Sequence, residues 1–274
     1  MNPLDEPPSA ASPEIVLAFA KLTLSLRVSG VRPDGYHLLD AEMVNVDLAD
    51  SLHFSAGEGL EVVMTSGAAR AGSGAVPADG SNLVARALAL LGRRAHVRLV
   101  KRIPAGAGLG GGSADAAAVL RWAGATGSEG LATAARLGAD VPFCLAGEGR
   151  ARVRGAGELV EPLAFDEVAA HAYTLAIPPF GVPTAAVYQV WDEMGGPTGD
   201  NFNDLEPAAL RVEPRLAEWR DRLAAATGQV PRLAGSGSSW FVAGDLIGEG
   251  PEEEELNMTV VRVVPPSVAL PTVA

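Results

Sequence analysis

The densest chemistry in the 274-residue sequence lies in KRIPAGAGLGGGSADAAAVL, residues 101–120. Gly106, Gly108, Gly110, Gly111 and Gly112 stand almost side by side, and Ser113 with an alanine-rich run follows at once. Glycine in an ordered segment costs roughly 0.5–1 kcal/mol relative to alanine, so this run needs an offset. HVRLVKRI, 96–103, alternates polar and apolar residues as a strand does. A strand, a glycine loop, a hydroxyl and a helix start make an anion site. The glycines let the backbone approach a phosphate, and the helix adds unpaired N–H groups and the positive end of its dipole. Lys101 stands at the loop's entrance. The Gly-Lys-Ser/Thr of a Walker loop is missing. Gly106, Gly108 and Gly111 do spell G-x-G-x-x-G, but no acidic residue ends a second strand about 20 residues on, which disfavours a dinucleotide site.

Other elements must hold this loop. Residues 14–28 and 38–56 alternate as strands around a Pro-Asp-Gly turn at 33–35. Residues 66–80 read as a loop. SNLVARALALLGRR, 81–94, reads as a helix capped by Ser81 or Asn82, with Leu83, Ala87, Leu90 and Leu91 on one stripe. Residues 113–124 open a helix, and 130–147 read as one further helix followed by a loop. A new block begins near 165: strand AYTLAIPP, helix TAAVYQVWDEM, helix EPRLAEWRDRLAAATG, a strand–glycine turn–strand in PRLAGSGSSWFVAGD, and a last strand in MTVVRVVPP. The layout is mixed α/β in two halves, 14–164 and 165–274, after a flexible leader at 1–13.

Composition narrows the partners. A net charge of −12 argues against nucleic acid and anionic membranes, yet leaves room for a small phosphorylated ligand. No apolar run approaches the ~20 residues of a membrane span. The start lacks a signal peptide's basic and apolar regions, and the one cysteine, Cys144, excludes an internal disulfide. The expectation is a cytoplasmic protein, a monomer or weak homodimer.

PAGAGLGGGSADAAA closely resembles the phosphate-binding motif of the GHMP kinases. AKLTLSLRVSGVRPDGYHLL, 20–39, is similar to that family's N-terminal motif, and LAGSGSSWFV, 233–242, to its C-terminal glycine motif. RPDGYHLL, LGADVPFCLAG and NDLEP resemble the branch acting on a cytidine-diphosphate-linked methylerythritol in the non-mevalonate isoprenoid pathway.

The resemblance implies a two-domain fold, an N-terminal ribosomal-S5-like ATP-binding domain and a C-terminal ferredoxin-like domain. It implies ATP with Mg2+ as cofactor and a cytidine-diphosphate-linked polyol as substrate, with no metal site built from protein ligands. Asp140 matches the catalytic base, and Lys21 the lysine that orients the acceptor hydroxyl beside it. Pro104, Gly106, Gly108, Leu109, Gly110, Gly111, Gly112 and Ser113 would hold the ATP phosphates, with Asn82, Leu83 and Lys101 on the nucleotide side. His37 would hydrogen-bond the cytosine, Tyr36 and Tyr188 would stack on its two faces, and Thr23, Thr184, Gly235, Ser236 and Gly237 would line the acceptor. Taken one at a time, Asp140 reads more readily as a turn aspartate and Lys21 as an exposed strand lysine, and Tyr188 reads equally as a core residue. Two positions depart from the family pattern: Thr23 stands where an amide is usual, and Ala114 where a second serine is usual. Another acceptor of mevalonate or sugar type, and a catalytically silent nucleotide-binding homologue, are the competing expectations.

Overall fold

The computed structural model describes residues 14–70, 75–165, 170–247, 256–266 and 272–273; the leader at 1–13 lies outside them. The chain forms two sheets covered by helices. Strands β1 (Glu14–Val31) and β2 (His37–Ser55) make a long antiparallel hairpin. One end of β2 pairs with β4 (His96–Lys101) and the other with β5 (Arg150–Gly155). Beyond them lie β3 (Gly59–Met64), parallel to β4, and β6 (Leu159–Pro162), antiparallel to β5. The helices of this half are α1 (Ser66–Arg70), α2 (Leu83–Leu90), α3 (Gly111–Trp122), α4 (Gly127–Leu137) and α5 (Val141–Ala146).

The second sheet holds β7 (Ala172–Ala176), β8 (Arg232–Leu233), β9 (Trp240–Ala243) and β10 (Met258–Arg262), in the order β10-β7-β9-β8. Its pairs are all antiparallel. Renumbered within the sheet this order is 4-1-3-2, that of a ferredoxin-like half. Helices α6 (Thr184–Glu193), α7 (Glu206–Val212) and α8 (Leu216–Thr227) lie between β7 and β8. The short strand β11 (Thr272–Val273) pairs back with β1. The second block of sequence thus ends on the first sheet.

Two sequence expectations are corrected. The stretch 130–147 is two helices, because Gly138 breaks the first and Pro142 starts the second; Asp140 sits at that break. The loop 66–80 begins with the short α1. Residues 150–162 form a hairpin that sequence patterning alone did not reveal.

The two halves share their cores. Ala20, Leu22, Leu24, Val44 and Leu109 pack with Tyr173, Leu175, Ala234 and Phe241 of the second sheet. Strand β1 joins two clusters in an uneven way. Val16, Ala18 and Leu26 belong to the helix-covered cluster, but Ala20, Leu22 and Leu24 belong to the one between the sheets. Register shifts at Phe19/Lys21 and Thr23/Ser25 bracket the change. At the first, four residues of β2 span two of β1; at the second, β1 carries one extra residue, a bulge of the kind that exchanges a strand's faces. Lys21 and Thr23 lie between them, on the opposite side of β1 from Leu22 and Leu24.

Candidate active site

The glycine loop joins β4 to α3. Gly106, Gly108 and Gly110 have φ of 72°, 78° and 69°, the left-handed region where a Cβ is penalised. At Gly110, the residue before α3, a Cβ would come 2.7 Å from Lys21 Cγ. At Gly108 it would collide with the carbonyl oxygen of Ala234 and lie 2.7 Å from that of Gly237. The loop is therefore backed by the C-terminal glycine turn, and Ser239 N–H donates to Ala107 O at 3.1 Å. The first helical bond of α3 is Ala114 N–H to Gly110 O, 2.9 Å. The amides of Gly111, Gly112 and Ser113 precede it and remain available to an anion. The alanine-rich helix behind them, Ala114 and Ala116–Leu120, is buried.

Lys21 is only 5% exposed. Its backbone N–H donates to Leu109 O at 3.0 Å, which fastens β1 to the loop. Its ammonium donates to Thr23 Oγ1 at 3.1 Å and lies 3.3 Å from Asp140 Oδ2. The threonine that departs from the family pattern is thus an acceptor for the lysine. The Asp140 side chain makes no capping bond to α5 and faces the cleft.

One cleft of about 350 Å³ brings together Lys21, Thr23, Gly106, Gly108, Gly110–Ser113, Asp140, Thr184, Tyr188, Gly235 and Ser236. Thr184 and Ser236 share a hydrogen bond of 2.8 Å. An adjoining cleft of about 360 Å³ runs along the loop's other side, lined by Pro77, Asn82, Leu83, Lys101 and Pro104 among others. The loop is the wall between the two.

Several predicted residues have structural partners as well. Lys101 is buried and its ammonium bonds Asp50 and Asp115, the latter at 2.7 Å. It braces β4, β2 and α3 beneath the loop rather than reaching out. Asp50 also accepts the amides of Arg102 and Ile103, at 2.5 and 2.8 Å. Burial first, with Asp50 beside it, pushes the Asp115 carboxyl up to about 8 against the pull of Lys101. Asn82 caps α2 by accepting from Val84 N–H at 2.8 Å, and its amide donates to Pro77 O at 2.7 Å. Leu109 buries its side chain and offers only its backbone. Gly237 backs Gly108 instead of lining the acceptor cleft.

Tyr36 does not face Tyr188. It is 62% exposed, with the Arg32 guanidinium 5.8 Å from its ring centre, and it borders a separate hollow beside Arg86 and Arg136. Adjacent residues of an extended chain point to opposite sides, and its neighbour His37 has taken the inner one. His37 packs on Tyr188, with ring centres 4.6 Å apart, and meets Trp191 edge-on at 5.6 Å. Its Nε2 lies 2.9 Å from Asp192 Oδ1.

Two positioning residues escaped the sequence reading although NDLEP had drawn attention to their segment. Asn203 donates to Leu233 O and Gly235 O at 2.9 and 2.7 Å, holding the glycine turn against Lys21. Asp204 accepts from Arg27 at 2.6 Å and from the amides of Val28 and Gly199, docking the segment on β1.

Residues 82–148 match the N-terminal domain of the GHMP kinases. The chain is 40% identical over 250 residues to 4-diphosphocytidyl-2-C-methyl-D-erythritol kinase of Cereibacter sphaeroides, covering 82% of this chain and 87% of that one. It is 37% identical to the enzyme of the same name from Paramagnetospirillum magneticum, covering 81% and 86%.

The chain belongs to the GHMP kinases.

A crystal structure of 4-(cytidine 5'-diphospho)-2C-methyl-D-erythritol kinase superposes on this GHMP kinase with a TM-score of 0.66 at 32% identity, covering 90% of this chain and 98% of that one. The mevalonate kinase of Methanococcus jannaschii superposes with a TM-score of 0.57 at 13% identity, a likeness of fold. The glycine loop, Lys21 and Asp140 thus lie in one cleft of a GHMP kinase, an ATP-dependent small-molecule kinase.

Proposed function

We propose that the chain transfers the γ-phosphoryl group of ATP to a hydroxyl of 4-diphosphocytidyl-2-C-methyl-D-erythritol, in the supply of isoprenoid precursors. The observation that carries this reading is the Lys21–Asp140 pair, 3.3 Å apart, in the cleft lined by Gly110–Ser113. Phosphoryl transfer needs the acceptor oxygen in line, charge on the phosphates stabilised, and a destination for the acceptor's proton. The amides of Gly111, Gly112 and Ser113 receive the phosphates. Asp140 takes the hydroxyl proton, and Lys21 holds that hydroxyl and supplies positive charge beside it. The clefts on either side of the loop leave room for nucleotide on one and acceptor on the other.

The glycine cradle fits ATP phosphates, since Gly106, Gly108 and Gly110 hold a left-handed backbone and Gly108 and Gly110 have no space for a Cβ. Among the described residues no three His, Cys, Asp or Glu side chains gather to hold a metal ion. Magnesium would come with the phosphates, which supply most of its ligands, and would neutralise part of their charge. Tyr188, which lines the cleft and carries His37 against its ring, would stack on the cytosine. The free, buried Cys144 fits a reducing, cytoplasmic setting; no helix among the described residues is long and apolar enough to cross a membrane.

The test is ADP release from magnesium-ATP with 4-diphosphocytidyl-2-C-methyl-D-erythritol, with mevalonate, or with no acceptor. Release with the cytidylyl alcohol alone is expected. Release with mevalonate would transfer the assignment to another GHMP activity, and release with neither, from protein that binds ATP, would mark a silent homologue.

A further inference from the structure

The contact between His37 and Asp192 lies outside the phosphoryl-transfer machinery. His37 opens β2 and Asp192 is on the last turn of α6, so the contact ties the first half of the chain to the second. The Asp192 carboxylate can only accept, and its Oδ1 is 2.9 Å from His37 Nε2. That nitrogen must therefore carry a hydrogen. In the neutral ring, Nδ1 is then left with a lone pair. The imidazole is held in place by three neighbours on one helix: Tyr188 on its face, Trp191 at its edge and Asp192 at Nε2. Trp191 is itself fixed, its indole N–H donating to Pro197 O at 2.9 Å. Only 13% of the His37 side chain is exposed, whereas half of Asp192 is.

We infer that Asp192 is a positioning residue that sets the base preference of the acceptor site, by holding His37 as the Nε2–H tautomer with Nδ1 free to accept. This rests on the cytidylyl reading above. A cytosine presents an amino group at C4, a donor, where uracil presents a carbonyl, an acceptor. An Nδ1 lone pair accepts from the first and repels the second. A polar mismatch of this kind separates near-isosteric ligands far better than size does. Without the carboxylate, the imidazole is free to place its hydrogen on Nδ1, and the preference fades.

The experiment compares wild type, Asp192→Ala and Asp192→Asn. Each is given the cytidylyl and the uridylyl form of the methylerythritol acceptor, and each is titrated with CDP and UDP in the absence of ATP. The 15N spectrum of His37 is recorded in parallel. Wild type should favour the cytidylyl acceptor by about 100-fold in kcat/KM, with His37 as the Nε2–H form. Asp192→Ala should reduce the ratio at least about tenfold, the loss falling on KM for the cytidylyl acceptor, and should give mixed tautomer signals. Asp192→Asn, whose carbonyl still accepts from Nε2–H, should retain the ratio. An unchanged ratio and an unchanged spectrum in Asp192→Ala would overturn the inference, as would an Nδ1–H ring in wild type. If wild type turns over neither acceptor, the functional reading fails; the CDP-to-UDP affinity ratio and the spectrum then decide the role of Asp192 on their own.

Discussion

Lys21 Nζ lies 3.3 Å from Asp140 Oδ2 and 3.1 Å from Thr23 Oγ1, so one ammonium ties the Asp140 carboxylate, our proposed base, to β1. Asp140→Asn keeps the shape and removes the proposed base. Turnover should fall by about 10²–10⁴-fold, while the melting temperature and ATP affinity stay near wild type. Turnover close to wild type in the folded variant would take Asp140 out of the proton's path.

The glycines of the loop are not equivalent. Gly108→Ala combines a φ of 78° with a collision against Ala234. Such backbone strain costs about 1–3 kcal/mol, or a drop of roughly 2–4 °C in Tm per kcal/mol for a chain of this size, and ATP should stabilise the variant less. Gly112→Ala meets only Leu83 Cδ1, at 3.4 Å and with ordinary φ, and should melt at or slightly above wild type. Melts with and without magnesium-ATP separate the two.

Stacking should reside on Tyr188 rather than Tyr36. Tyr188→Ala should raise KM for the cytidylyl acceptor by about 10–100-fold, the equivalent of ~1–3 kcal/mol per stacked base, with KM for ATP unchanged. Tyr36→Ala should change the acceptor KM by less than about threefold. Comparable effects from both would restore the two-sided sandwich that the sequence suggested.

The Asp115 carboxyl, pushed up to about 8 by burial and by Asp50, retains its proton in the fold after the unfolded chain has lost it. The folded state binds more protons between about pH 4 and 8, so this group's contribution to stability declines as pH rises through that window. Asp115→Asn keeps a neutral side chain at every pH. Between pH 5 and 8.5 its Tm should fall less than that of wild type, and parallel curves would contradict the assignment.

Burial also pushes the Cys144 thiol up to about 12, where thiolate is scarce. A maleimide should therefore label the native protein only as fast as it unfolds, and promptly in denaturant. Rapid labelling of native protein would show that the site opens locally.

Much of this was legible in the sequence. The glycine run and the alanine helix appear as read, because both are local choices of backbone. What was hidden depends on partners distant in sequence. From Val16 to Leu26 the even-numbered residues are mostly apolar, which reads as one face of one strand. Irregular pairing with β2 at Phe19/Lys21 and Thr23/Ser25 divides that face between two cores, and Lys21 points at Asp140 while Leu22 packs in the core shared with the second sheet. The ion pairs of Lys101 were hidden because Asp50 and Asp115 lie far along the chain or one turn into the next helix. Tyr36 and His37 read as a pair, and only the pleat decided which of them faced inward.

The backing of the glycine loop has a consequence for synthesis. Ala107 and Gly108 lean on Ala234, Gly237 and Ser239, which leave the ribosome more than a hundred residues later. At about 5–20 residues per second the interval is on the order of ten seconds. Throughout it the nascent chain owns a complete phosphate-binding sequence with no wall behind it. The loop's backing is thus completed only once the second glycine turn has been delivered.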